Sequence, residues 1–284
     1  MCSVSAGNAV LSPISFFNLH SITDSSERAF WDKIYFQYTR GEFIDTDPII
    51  FPARIDGNKE YISFVSSLFA YGRVRAIQDF LEKFFFRYGN NPFEIDTSEA
   101  KLYYRFQTAG DIRLLVSLIK EIYIQYGSIQ KFFISLSSNL DEALEGFLDY
   151  ARMFGTENNA GRGYFFLFPK YGGSGLKRLR MFLRWMVRKD DVDFGLWDTY
   201  KASELLYPLD THILRFAKGF GIISSWTNSH RNARLITDYF KAINEEDPVK
   251  YDFAITRLGM LNSCKFKTSI GCEVCGLKNE CLFN

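Results

Sequence analysis

Lys177 and Asp210, 33 positions apart, are the residues through which this chain could do covalent chemistry. Lys177 closes the run Tyr171-Gly172-Gly173-Ser174-Gly175-Leu176-Lys177-Arg178, and Asp210 stands in Pro208-Leu209-Asp210-Thr211-His212. A neutral amine is a nucleophile, and a nearby carboxylate can take its proton or steady a developing positive charge. Gly173, Ser174 and Gly175 can take backbone angles closed to other residues, and a helix starting after them would aim free N–H groups at a phosphate. An ordinary tight turn accounts for the same glycines. Asp210 also suits a plain N-cap for a helix from Thr211 to Phe216, and His212 reads as structural.

The segment after the glycines is basic. Residues 161–190 hold eight Lys and Arg (Arg162, Lys170, Lys177, Arg178, Arg180, Arg184, Arg188 and Lys189) against one acid, Asp190. At helical spacing Leu176, Leu179, Leu183 and Met186 form a buried stripe, and Lys177, Arg180, Arg184 and Arg188 a charged stripe on another face. This reads as a nucleic-acid contact, with a solvated helix face as the plainer alternative. Lys177 itself could be a phosphate contact rather than a nucleophile.

Four of the five cysteines crowd the last 21 residues as C-x7-C-x2-C-x5-C: Cys264, Cys272, Cys275 and Cys281. Four thiolates in one short loop can close around a [4Fe–4S] cluster or a Zn²⁺ ion, and the spacing does not choose between them. Cys2 stands alone.

These residues need a scaffold, and the chain supplies helices. It has 284 residues, 47% hydrophobic, with 29 Phe and 16 Tyr, enough for one large or two modest cores. The net charge is only +1, so a nucleic-acid surface must come from local clustering. No apolar run reaches membrane-spanning length, and the first residues lack a signal-peptide pattern, which points to the cytoplasm. Helical periodicity predicts helices over 28–41, around 62–69 and 77–84, from 111 to a stop at Gly127, and over 140–151. Ser138 or Asn139 would cap the last of these and Gly155 end it. Residues 45–56, with Pro48 and Pro52, and 156–163 read as loops. Two more helices follow over 228–243 and 248–258, the second with Asp247 as N-cap and Pro248 at its first position. No period-2 strand appears, and the fold class is all-α.

The Gly-x-Gly-x-Lys run ending at Lys177, the later Leu209-Asp210-Thr211-His212 and the four-cysteine loop occur in an order that resembles the helix-hairpin-helix DNA glycosylase superfamily, of which endonuclease III is a member. The family hairpin reads roughly L-P-G-V-G-R-K, its aspartate lies in V-D-T-H, and its cluster loop is commonly C-x6-C-x2-C-x5-C. The likeness covers roughly residues 28–284, and its wording is nearest a little-characterised bacterial branch. Three departures stand out: the 33-residue separation is about twice that of the endonuclease III type, the hairpin lacks a Pro before Gly173, and the first cysteine gap is one residue longer. The insertion around 190–197 would reshape the pocket mouth.

The resemblance implies a two-domain fold: a loose lead-in over 1–27, a segment over 28–57 packing with the C-terminal half, a helical barrel over 58–180 ending in the hairpin, and a C-terminal domain over 181–284 with the cluster loop at 264–281. It implies a monomeric base-excision glycosylase with AP-lyase activity on damaged or abasic duplex DNA. Lys177 would attack C1′ of a flipped nucleotide and Asp210 would assist. Gly173, Ser174, Gly175, Arg178, Arg180, Arg184 and Arg188 would contact DNA. Tyr71 would fill the gap left by the flipped base, with Arg73 and Arg75 on phosphates. The iron–sulfur cluster, or zinc in its place, would be structural. A non-catalytic protein that recognises distorted DNA or RNA is the alternative.

Overall fold

The computed structural model describes residues 24–98 and 101–261, together with Cys264, Phe266 and Cys272. Among these residues the chain forms twelve α-helices and no strand. They are α1 (Asp24–Tyr38), α2 (Ile50–Arg54), α3 (Lys59–Leu68), α4 (Val74–Tyr88), α5 (Ala109–Tyr126), α6 (Ile129–Leu136), α7 (Leu140–Glu157), α8 (Arg162–Leu167), α9 (Lys177–Val187), α10 (Thr211–Gly219), α11 (His230–Ile243) and α12 (Asp252–Leu261). The all-α expectation holds, and no described helix is long and apolar enough to cross a membrane.

Capping chemistry sets several boundaries. Thr108 and Asp111 form a reciprocal capping box on α5, and Gly127 ends that helix in the left-handed conformation. Asn139 caps α7 by accepting the amides of Asp141 and Glu142. Gly155 does not stop α7. It lies inside the helix, where a Cβ would come within 2.5 Å of the Tyr164 ring, so glycine there admits α8 to close packing. The expected loop over 45–56 contains α2, with Pro52 in its first turn, where no amide hydrogen bond is needed. α12 starts at Asp252 rather than Pro248, because the Asp247 carboxylate is bound by Arg188 instead of capping a helix.

Aromatic packing joins the two ends of the described chain. Trp31 of α1 is fully buried and meets Phe216, Phe240 and Tyr251 at centroid distances of 5.3, 5.2 and 6.1 Å. α1 lies against α12 and α11. On the other side α3 packs on α9, with Phe64 edge-on to Phe182 at 5.2 Å. Glu60 of α3 is a buried hub. Its carboxylate accepts the Tyr123 hydroxyl, the Ile129 and Gln130 amides at the start of α6, and the Trp197 indole N–H.

α9 departs from its expected layout. Leu176, Leu179, Leu183 and Met186 are buried as expected, but so are Arg180, Arg184 and Arg188, at 3, 4 and 5% exposure. A guanidinium can lie inside only if carboxylates meet it. Arg180 pairs with Asp141, Arg184 with Asp193 and Asp252, and Arg188 with Asp190, Asp193 and Asp247. The solvent-facing basic stripe expected of these three residues is therefore internal, and they cannot reach a nucleic-acid backbone. The insertion around 190–197 supplies two of the carboxylates that neutralise it, Asp190 and Asp193. The Phe194 amide returns to the Trp185 carbonyl and that of Trp197 to Met186, which tucks Asp193 beneath α9. It borders the rear of the helix, not the mouth of the cleft described next.

Candidate functional site

The first residue of α9 is Lys177, and it opens into a cleft of about 650 Å³. α9 begins without a side-chain cap: Leu176 takes a left-handed φ of 50°, and its own amide reaches back to Ser174 Oγ at 3.4 Å. The first amides of the helix are thus left for a ligand. The Lys177 amine makes no hydrogen bond or ion pair among the described residues. The turn before it is fixed by Gly175, whose amide donates to the Asn228 carbonyl, and whose missing Cβ would lie 3.1 Å from Leu209 Cδ1. Ser174 lines the cleft, and Gly173 is exposed.

The room that Gly175 leaves for Leu209 lets the residues leading into α10 pack close to this turn. Thr211 and His212 line the cleft with Lys177. Asp210 caps α10: one carboxylate oxygen accepts the Ile213 amide at 2.7 Å, and the other accepts the Thr256 hydroxyl at 3.2 Å. His212 lies within electrostatic reach of both Asp210 and Lys177. Burial, more than these charges, pulls its imidazole below the usual histidine value. Its Nδ1 is buried without a hydrogen bond, facing the position a Cβ on Gly259 would occupy.

The opposite wall comes from the junction of α3 and α4 and from α8. Tyr71 lines it, but the ring is a fixed wall rather than a free wedge. Its hydroxyl donates to Gln107 and its ring packs against Tyr104 and Phe166 at 5.1 and 5.0 Å. Burial pushes that phenol well above its ordinary pKa. Arg178 spends its donors on the carbonyls of Leu68 and Phe166 and lies over the Tyr71 and Phe166 rings, so it braces the wall. Burial lowers its pKa to about 10, which leaves it charged at neutral pH. Arg73 and Arg75, at the start of α4, are exposed and make no ion pair among the described residues.

Sequence reading missed the third wall. Arg257 of α12 is buried and lines the cleft, with Nη2 2.6 Å from Asp47 and Nη1 3.0 Å from Thr46 Oγ1. Its guanidinium stacks over Phe253 at 4.6 Å, and its Nε has no partner. Nothing in local periodicity links residues 210 positions apart, and an isolated Asp in a Pro-containing segment carries no signal.

Of the cysteines, Cys275 and Cys281 lie outside the described residues, as does Cys2. Cys264 and Cys272 are half-buried. The Phe266 amide donates to Cys264 Sγ at 3.4 Å, with Phe266 at a φ of 51°. An amide aimed at sulfur suits a thiolate that ligates a metal. Among the described residues no group of three or more His, Cys, Asp or Glu is arranged to hold a metal.

Residues 47–261 match the family model described as a protein of unknown function, DUF2400, and the chain belongs to that family. No curated protein and no solved structure gives a match. The matched span begins at Asp47 and takes in Lys177, Asp210 and Arg257, so all of the cleft's lining residues except Thr46 lie within it.

Proposed function

We propose that this chain is a DNA base-excision glycosylase with AP-lyase activity. The observation that carries the reading is the uncommitted Lys177 amine at the uncapped start of α9, in one cleft with the start of α10 that Asp210 caps. The ordered motifs that resemble the helix-hairpin-helix glycosylases support it. The amides at the uncapped start of α9 make the cleft receptive to a phosphodiester.

In the proposed reaction the neutral amine of Lys177 attacks C1′ of a nucleotide turned out of the duplex. A bond forms from Nζ to C1′. The bond from C1′ to the base breaks, and its electron pair leaves on the base, which is then protonated. The amine loses its proton to Asp210, and the sugar ring opens to an iminium. Loss of a C2′ proton expels the 3′ phosphate, and water releases Lys177. Asp210 is held by Ile213 and Thr256 at the start of the helix whose Thr211 and His212 line the cleft, and its charge would favour the developing cation. Cys264, Cys272, Cys275 and Cys281 would hold a [4Fe–4S] cluster, or zinc, in a structural role. Such a group supplies a fixed cross-link for the C-terminal loop and takes no part in the steps above.

Borohydride reduction in the presence of abasic-site duplex tests the reading. The expected product is a covalent adduct lost in Lys177→Ala and much reduced in Asp210→Asn. Salt-sensitive binding of the same duplex with no adduct would assign the cleft to binding alone.

A further inference from the structure

Beside the cleft, two aromatic rings face solvent from a rigid support. Phe106 and Phe166 are 55 and 40% exposed. The Phe106 ring is parallel to Tyr71, within 1° and with centroids 6.3 Å apart, and Phe166 lies 5.0 and 5.1 Å from the two. Guanidiniums interleave with the rings. Arg105 sits over Tyr71 and Phe106 at 5.6 and 5.4 Å, and Arg178 over Tyr71 and Phe166 at 5.1 and 4.6 Å.

The support is not a loose loop. Arg105 takes a left-handed φ of 52° in the tight turn from Tyr104 to Gln107, which is closed by reciprocal backbone hydrogen bonds. Gln107 Nε2 donates to the Gly163 carbonyl at 2.8 Å, and Gly163 has no room for a Cβ, which would lie 2.2 Å from the Phe106 carbonyl oxygen. The turn is therefore clamped onto α8, and Phe106 is held beside Phe166 instead of folding inward. Arg105 stands exposed at the rings, and Arg73 and Arg75 are exposed at the start of α4, none of them with an ion pair among the described residues.

We infer that this surface stacks an unpaired nucleobase of the duplex held by the cleft. A face of alternating rings and guanidiniums offers π-contact and positive charge together, which matches a base flanked by phosphates and suits an apolar protein partner poorly. The inference rests on the proposed function, because a duplex that gives up one nucleotide to the cleft leaves the facing base without its pair. Tyr71 and Phe166 line the cleft, and Phe106 continues the same surface outward.

The test uses the full chain and a duplex with a tetrahydrofuran abasic analogue opposite 5-iodouracil. Irradiation with long-wavelength light cross-links iodouracil to a stacked aromatic ring. The expected adduct lies at Phe106 or Phe166. Phe106→Ala combined with Phe166→Ala should lose it and weaken binding roughly tenfold or more. Both side chains are exposed, so the double variant keeps its fold, checked by an unchanged melting temperature. Full affinity in the double variant, or an adduct at a distant ring such as Trp226, overturns the inference while leaving the cleft reading intact. A wild-type chain that binds no abasic duplex overturns both.

Discussion

Asp210 has both carboxylate oxygens engaged before any substrate arrives, one by its own helix and one by Thr256. In the proposed reaction Thr256 would therefore act through Asp210, as a positioning residue. Thr256→Val should slow adduct formation by roughly 10-fold or more, the cost of a hydrogen bond to a charged group. Thr256→Ser should restore most of the rate, measured in single-turnover borohydride trapping. At this scale the sequence was partly legible. Lys177 and Asp210 stood out because a glycine turn and an N-cap are local patterns. Thr256 and the pair of Asp47 with Arg257 are products of tertiary contact, and no local pattern marks them. Arg178 misled for the complementary reason: a positive charge in a basic run looks available until carbonyls such as Leu68's are seen to occupy its donors.

Among the elements, α9 is the one whose two ends do different work. Its rear half carries Arg184 and Arg188 into a network of Asp190, Asp193, Asp247 and Asp252. Amphipathic spacing identified the apolar stripe but could not tell a solvated charged face from one buried against carboxylates, two of which, Asp247 and Asp252, arrive about 60 residues later. Arg184→Met leaves Asp252 buried without its guanidinium and Asp193 with Arg188 alone, and should destabilise the fold by about 3–5 kcal/mol in chemical denaturation. By contrast, Arg73→Ala and Arg75→Ala should leave stability unchanged. Each should lower the slope of log affinity against log salt for DNA by about one. The same slope measured on any stable Arg188 variant should not move.

Over the whole molecule, the network holds four carboxylates against two guanidiniums, an excess of negative charge with little water to screen it. Burial pushes the Asp252 carboxyl up to about 7, and Asp193 rises for the same reason. A carboxyl whose folded pKa exceeds its unfolded value near 3.9 binds its proton more tightly when folded. Its contribution to stability is thus full in acid below that unfolded value and declines as pH rises toward 7. The denaturation midpoint should fall from pH 5 to pH 8, and Asp252→Asn should flatten that fall. The all-helical class was legible in the sequence because composition and periodicity report it over long windows. The way α1 closes against α12 and α11 was expected only through resemblance, since the ring contacts of Trp31 with Phe216, Phe240 and Tyr251 are set by the assembled core.

The unequal ends of α9 also bear on how this helix breathes. Its rear amides sit under Trp185 and the buried ion pairs, while its first amides follow an uncapped Leu176. Deuterium uptake should therefore be graded along a single helix, fastest at Lys177 and slowest near Trp185. The amine is carried on the end that opens most readily, and the anchored end returns it to register after every opening.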